Sequence, residues 1–279
     1  MLTELNIDAS VNQTARISQN IDKDFHANLP YLTANYKLTP AWSTYAQYAK
    51  GMQVPDISMF QSTNANASSV DPQRSTNYQF GVVHKSVQIL FDADLYYIDF
   101  SNKFAVLPGT DAQPIYYNQG GVTYKGLEGQ FTYAFRNGFS AYANGSVNRA
   151  ESKATGLAVA GVPNSTTALG VLYNAGGWSG SIVSKRVGSS YALDDGGYKM
   201  DPNTSTDLNI GYTFDNPGMG AKSMKLRFGL YNLFNRQDVI AVKPVNTTVG
   251  SAKYGQPAAG DTFLYQPERS FMASLNVAF

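Results

Sequence analysis

The sequence predicts an all-β chain, an antiparallel barrel whose strands cross a membrane, and three observations carry that expectation. The first is composition: 13% aromatic and only 15% charged residues, with 19 Tyr, 15 Phe and 25 Gly, a mixture of strand formers and turn formers. Apolar and polar residues also alternate with a period of two, the repeat of a strand and not the 3.6 of a helix. Third, short connections take turns with long polar ones along the chain, as in bacterial barrels with tight turns at one rim and long loops at the other.

Taken in order, Ile7, Ala9 and Val11 suggest a first strand. A short link at Leu38–Ala41 marks a hairpin, and a polar stretch from Gly51 to Asp71 separates it from the next. After a tight turn at His84–Val87, Ile89, Phe91, Ala93, Leu95 and Tyr97 share one face, opposite Leu90, Asp92, Asp94 and Tyr96. Ser101–Asn118 is the second long loop. Leu127, Gly129, Phe131, Tyr133 and Phe135 then oppose Glu128, Gln130, Thr132 and Ala134, ending at a turn over Arg136–Gly138. Glu151–Pro163 and Gly188–Asn203 are further long loops, on either side of a turn at Ala175–Gly177. Leu208, Ile210, Tyr212 and Phe214 precede a link at Asp215–Ala221, and Leu226, Phe228 and Leu230 follow it. The longest loop, Arg236–Glu268, leads to Phe271, Ala273, Leu275, Val277 and Phe279 on the apolar side of a closing strand. Gly, Pro and Asn punctuate the short links, and the count comes to about twelve strands.

The polar faces decide between a soluble sandwich and a barrel. A sandwich turns that face to bulk water and needs Lys and Glu there; here it is mainly Asn, Gln, Ser, Thr, Gly and Tyr, as in the interior of a transmembrane barrel. The longest uninterrupted apolar runs, such as LYYI, LAVA and VIAV, fall far short of the roughly 20 residues of a spanning helix. A net charge of +1 provides no basic face for nucleic acid. With no cysteine, disulfides and thiolate metal sites are excluded and the compartment is left open. The start, MLTELNIDAS, lacks the basic and apolar stretches of a secretory signal, so an exported protein is expected to have further sequence ahead of it.

Four segments in register carry a family resemblance: DPQRSTNYQFGV (Asp71–Val82), YKGLEGQFTYAF (Tyr124–Phe135), NTSTDLNIGYTF (Asn203–Phe214), and YNLFNR (Tyr231–Arg236) followed by a long loop and a terminal Phe279. Together they resemble the C-terminal part of a TonB-dependent outer-membrane receptor, nearest to siderophore receptors. The resemblance implies a barrel of about 22 strands, of which residues 1–279 would supply the C-terminal part, with the plug domain and the early strands upstream. It further implies uptake of a ligand such as a ferric siderophore, energised by the TonB complex through the plug. The barrel-assembly machinery would read Phe279, and outer-membrane lipid would surround the wall.

Two rivals remain. An autotransporter translocator barrel has a similar strand count but needs a helix through its pore, and Met1–Leu29 has no helical period. A passive porin needs a charged constriction loop that no segment resembles. An enzyme is the rival of a different class. His84 lies at a tight turn and His26 in a polar loop near Asp22 and Asp24, settings that do not define a catalytic triad, so neither catalytic residues nor a cofactor are expected.

DDGG at Asp194–Gly197 offers oxygen ligands for calcium but lacks spaced carboxylates, and is expected to be a turn; no metal site is expected. Asp92, Asp94 and Glu128 on the inner face are expected to be solvated or plug-facing wall residues. In a receptor, ligand contact falls to aromatic side chains of the long loops, which give large contact area with a polar handle. The candidates are Tyr116, Tyr117, Tyr191, Tyr198, Tyr254 and Tyr265, in competition with the girdle role of tyrosine in any membrane barrel.

Overall fold

The computed structural model describes residues 23–56, 59, 70–107, 115–218, 220–248 and 250–279. In chain order its strands are β1 (Tyr31–Lys37), β2 (Trp42–Gln53), β3 (Gln73–Lys85), β4 (Ile89–Ser101), β5 (Phe104–Leu107), β6 (Ile115–Asn118), β7 (Val122–Ala134), β8 (Phe139–Ser152), β9 (Ser165–Ala175), β10 (Trp178–Val187), β11 (Ser190–Tyr191), β12 (Lys199–Met200), β13 (Asn203–Gly218), β14 (Ala221–Tyr231), β15 (Val239–Lys243), β16 (Thr262–Tyr265) and β17 (Ser270–Ala278). Eleven of them form one sheet in the order β1-β2-β3-β4-β7-β8-β9-β10-β13-β14-β17. Every neighbouring pair is antiparallel. Among the described residues there is no α-helix. The strand expected at Ile7–Val11 lies outside the described residues.

Three stretches expected to be plain loops carry small hairpins of their own, β5–β6, β11–β12 and β15–β16. Short runs such as FAVL and VIAVK have the β-branched and aromatic content to pair locally, although they are too brief to show a period. The link expected over Asp215–Ala221 is also shorter than its sequence suggests. Strand β13 runs on to Gly218 through a register shift after Asp215, with Asn216 at φ 50°, a bulge that absorbs the extra residues.

The registers show what the alternation achieves. Ala46, Phe80, Leu95, Leu127 and Val147 are direct cross-strand partners across five strands. Phe80, Leu95, Val147 and Leu169 each keep more than half of their surface open, at 54, 59, 65 and 58%, so the described residues do not cover this face. Two aromatic rows bound it. Near the short turns, the Trp42 ring stands 4.6 Å from His84 and 6.2 Å from Phe91, Phe139 4.6 Å from Tyr173, and Trp178 4.8 Å from Tyr212. Toward the long loops, Tyr48, Tyr78 and Tyr97 stand side by side at 5.3 and 6.3 Å. From Trp42 to Tyr48 is roughly 20 Å along the strand, the scale of an outer-membrane apolar band, about 25 Å.

On the opposite face tyrosines span neighbouring strands. Tyr45 of β2 lies across Gly81 of β3 and donates its hydroxyl to Asp94 Oδ2 of β4 at 3.2 Å. Tyr96 of β4 lies across Gly126 of β7 and donates to Asn148 Oδ1 of β8 at 2.8 Å. Both glycines are needed for close approach: a Cβ on Gly81 would meet the Tyr45 ring, and one on Gly126 would stand 2.7 Å from the Tyr96 hydroxyl. Each ring thus covers a residue without a side chain and joins three strands.

This arrangement predicts that Gly81→Val and Gly126→Val displace the rings and destabilise the sheet by about 1–3 kcal/mol each. Tyr45→Phe, which keeps the ring, should cost less than Gly81→Val. The temperature at which the folded, fast-migrating band is lost on electrophoresis would measure both, and equal melting of Gly81→Val and wild type would show that the ring does not depend on the glycine.

Candidate functional site

Four of the long connections meet at the Asp194–Gly197 turn. The turn forms because Asp195 and Gly196 adopt φ 55° and 72°, and the Gly197 amide closes onto the Asp194 carbonyl at 3.1 Å. Asp194 then receives Lys103 Nζ from the β4–β7 connection at 3.0 and 3.1 Å, and the Ala160 amide from the β8–β9 connection at 2.9 Å. Its carbonyl accepts the Tyr254 hydroxyl of the β14–β17 connection at 2.7 Å. Thr155 donates to Asp195, and the Gly161 amide donates to the Tyr191 carbonyl at 2.8 Å. The DDGG segment is therefore the expected turn, and Asp194 is saturated by protein donors.

Charge follows from this packing. Burial pushes the Asp194 carboxyl up, but the Ala160 amide together with Lys103 and Gln119 outweighs it and holds the group below the usual carboxylate range. Tyr254 is pushed up by burial and then by Asp195 and Asp194. Tyr198 is pushed up by burial and by Asp261, to which its hydroxyl is bonded. Both phenols therefore remain protonated donors near neutral pH.

The structure brings together three of the six candidate tyrosines, Tyr191, Tyr198 and Tyr254, around this turn. Tyr198 stands at φ 51°, and Gly197 and Gly255 are packed so closely that a Cβ on Gly197 would lie 2.7 Å from the Tyr254 ring. Tyr198 and Tyr254 thus use their hydroxyls within the protein, whereas that of Tyr191 has no protein partner among the described residues. Tyr116 goes elsewhere, packing with Phe104 and Met52 against buried Phe25 and Val70. Tyr117 is its neighbour on β6, opposite Ala105. Tyr265 lies exposed on β16 with its ring 6.4 Å from Phe263. Phe279 follows β17, 76% exposed, with its carbonyl accepting Lys222 Nζ at 3.0 Å.

A second constellation lies on the polar face. Asp92, Asp94 and Glu128 line a recess of about 260 Å³ with Gln130, Asn144, Ser146 and Thr166. Asp94 and Glu128 are direct cross-strand partners, and Asp94 is buried, with Oδ1 unpartnered beside the Tyr45-bonded Oδ2. Ser146 and Thr166 share a hydrogen bond of 2.9 Å. Among the described residues no histidine or lysine accompanies these carboxylates in an ion pair. They present an anionic, acceptor-rich wall. Sequence reading placed the three acids on one face; the Lys103–Asp194 tie, 91 residues apart in sequence, left no local signal.

The depressed Asp194 carboxyl fixes the sign of a pH effect. Because the folded value lies below the unfolded one, the tie is fully present above the ordinary aspartate range near pH ~4 and is lost as pH falls through the lower folded value. Asp194→Asn should loosen the four connections by about 1–2 kcal/mol and abolish that acid-induced step. Amide exchange at Ala160 and Gly161 followed against pH would check it; an acid step that survives in Asp194→Asn would assign it to another group.

Comparison with known proteins follows from this geometry. A family model described as "TonB dependent receptor-like, beta-barrel" matches residues 4–233, and no curated protein matches. Among solved structures, the copper transporter OprC superposes with a TM-score of 0.74 at 17% identity, covering 95% of this chain and 41% of that one. The ferric citrate transporter FecA, in its unliganded form, gives 0.70 at 20% identity, covering 92% of this chain and 39% of its own. The ferric yersiniabactin uptake receptor FyuA from Yersinia pestis gives 0.70 at 18%, covering 94% and 39%. The chain thus spans about two fifths of the length of these structures. Their shared fold, together with the family match over most of the sequence, accounts for the sheet, the girdles and the long-loop rim: the chain belongs to the TonB-dependent receptor β-barrel family, a family of receptors of the bacterial outer membrane and not of enzymes.

Proposed function

We propose that this chain forms the C-terminal part of the wall and the ligand-facing loops of a TonB-dependent importer, with a ferric siderophore or similar iron chelate as its ligand. The observation that carries this reading is the gathering of Tyr191, Tyr198 and Tyr254 on connections tied together at Asp194. Aromatic rings held by a hydrogen-bonded frame offer a flat, amphipathic contact at little entropic cost. Tyr191 and Tyr117 supply ligand hydroxyl contacts in this reading, Tyr198 and Tyr254 orient the turn, and Tyr116 and Tyr265 widen the aromatic surface. The iron reading agrees with the ferric ligands for which FecA and FyuA are named, while OprC is named for copper.

A larger wall supports the same reading. Among the described residues, strands β1 and β17 each have one neighbour in the sheet, and nearly all their residues are exposed. In hydrocarbon each unpaired backbone group costs several kcal/mol, so further strands would complete the barrel, a plug would fill it, and TonB would act through that plug. The polar recess at Asp92, Asp94 and Glu128 would then face the lumen. Phe279, on the apolar side of β17 by register with Met224 and Val277, would be the aromatic end read during assembly.

The test is growth under iron limitation of cells whose only receptor is the full-length protein containing this chain, fed with defined ferric chelates. Growth with a ferric siderophore is expected, and Tyr191→Ala should weaken chelate binding by about tenfold, the effect of an interface tyrosine. No growth with any ferric chelate, with uptake of copper or cobalamin instead, would reject the iron reading. Separately, Phe279→Asn should lower the level of full-length protein in the outer membrane; an unchanged level would remove that residue from assembly.

A further inference from the structure

The polar face changes sign along the sheet. At β4 and β7 it carries Asp92, Asp94 and Glu128, and beyond β8, β9 and β10 it carries Lys225 and Arg227 of β14. Arg227 stands in one cross-strand row with Asn174, Ser179, Gly211 and Ser274, and Lys225 follows two residues, about 7 Å, nearer the short turn. Asn209 and Tyr231 bound the recess on the side of the long loops. It encloses about 480 Å³, within the roughly 300–1,000 Å³ of small-molecule sites.

Two glycines give this recess its depth. A Cβ on Gly211 would stand 2.9 Å from Ser179 Oγ and 3.4 Å from Arg227 Cγ, and one on Gly229 would stand 3.0 Å from both Asn209 Oδ1 and the Tyr231 hydroxyl. The bare backbone is the floor, and the neighbouring side chains rise around it. Their polar groups are unspent: among the described residues Lys225 and Arg227 form no ion pair, and the side chains of Asn174, Asn209 and Tyr231 form no hydrogen bond. The acids of β13 do not compensate them. Asp207 accepts the Asn232 amide at 2.9 Å, and Asp215, two residues beyond the Thr213 partner of Lys225, forms no ion pair.

We infer that this recess is a binding subsite for a ligand with several carboxylates, set in the polar wall toward the short-turn rim and away from the tyrosines of the long loops. Arginine brings five N–H donors in a planar fork and lysine three around a point charge, whereas one carboxylate offers about four lone-pair sites on two oxygens. A single aspartate or glutamate of a neighbouring domain would therefore neutralise one cation and leave the other, while two carboxylates of one small molecule meet both across the 7 Å that separates their strand positions, roughly. Asn174, Asn209 and Tyr231 add neutral donors for its remaining oxygens. The acidic recess at Asp94 repels the same ligand, so the two halves of the wall direct an anion to the β14 side. As a station for an imported chelate the subsite rests on the importer reading above; as an anion site it does not.

The test is isothermal titration calorimetry of the full-length protein in non-ionic detergent with tricarballylate, a tricarboxylate that holds iron poorly, at low ionic strength. Wild type should bind it, with affinity falling as salt is added. Lys225→Gln with Arg227→Gln should weaken binding on the order of tenfold or more, and heat-modifiable migration equal to that of wild type would verify that this variant folds. Arg227→Lys, which keeps the charge and loses the fork, should weaken it less. Lys185→Gln, which removes an exposed cation of the same face outside the recess, and Tyr191→Ala should leave it unchanged. Absence of binding by wild type, as when another part of the protein fills the recess, would overturn the assignment, and so would equal binding by wild type and the double variant. Binding lost in the double variant, in a receptor that supports growth with no ferric chelate, would keep the anion site and reject the iron reading; growth with a ferric chelate and equal binding by the two proteins would do the reverse.

Discussion

In a bilayer every backbone N–H and C=O must find a partner within the protein, and this structure is organised by that requirement. Among the described residues, an uninterrupted antiparallel ladder of eleven strands satisfies it for the inner members of the sheet and leaves it open at β1 and β17. Once the ladder is fixed, each strand has only two faces, and a shift of one residue would exchange them everywhere. The continuity of Phe80, Leu95, Leu127 and Val147 as direct partners is therefore a statement about register as much as about hydrophobicity. A soluble protein would have to cover this face with a second layer, and the described residues supply none.

The polar face has the opposite difficulty, since nothing apolar packs it. Its solution is lateral: Tyr45 and Tyr96 reach across glycines to Asp94 and Asn148, and Ser146, Asn148 and Thr166 continue the hydrogen bonds between β8 and β9. These spans stiffen the wall without filling the space above it. The space above them stays open among the described residues, where Asp94 Oδ1 has no hydrogen-bond partner.

How much of this was legible depended on the range of the interaction. Alternation along Ile89–Tyr97 and Leu127–Phe135 placed each side chain on its observed face because a strand's period is a local property. The short turns were legible for the same reason, as Gly138, Gly176 and Gly177 adopt the positive φ that their sequence invites. The bulge at Asp215–Gly218 was missed because an extra residue in one strand is defined only against its partner. The hairpins within the long connections were missed because FAVL and VIAVK are too short to display a period. Among the tyrosines, sequence offered no means of separating Tyr116, which packs against Phe25 and Val70, from Tyr191, whose hydroxyl has no partner among the described residues.

The Asp194 turn shows why loops on such a barrel can be ordered at all. Each long connection alone would lose conformational entropy with little apolar burial in return, and among the described residues two small clusters of buried side chains occur near this rim. Ties between connections change the balance, because Lys103, Ala160 and Tyr254 each reach the same residue, so ordering one connection lowers the cost of ordering the next. The donors come from β4–β7, β8–β9 and β14–β17, whose strands are spread across most of the sheet. A hub of this kind converts the spacing of distant strands into the geometry of three tyrosines. It also makes that geometry sensitive to anything that alters the curvature of the sheet, so the long connections and the strands that carry them are mechanically one unit.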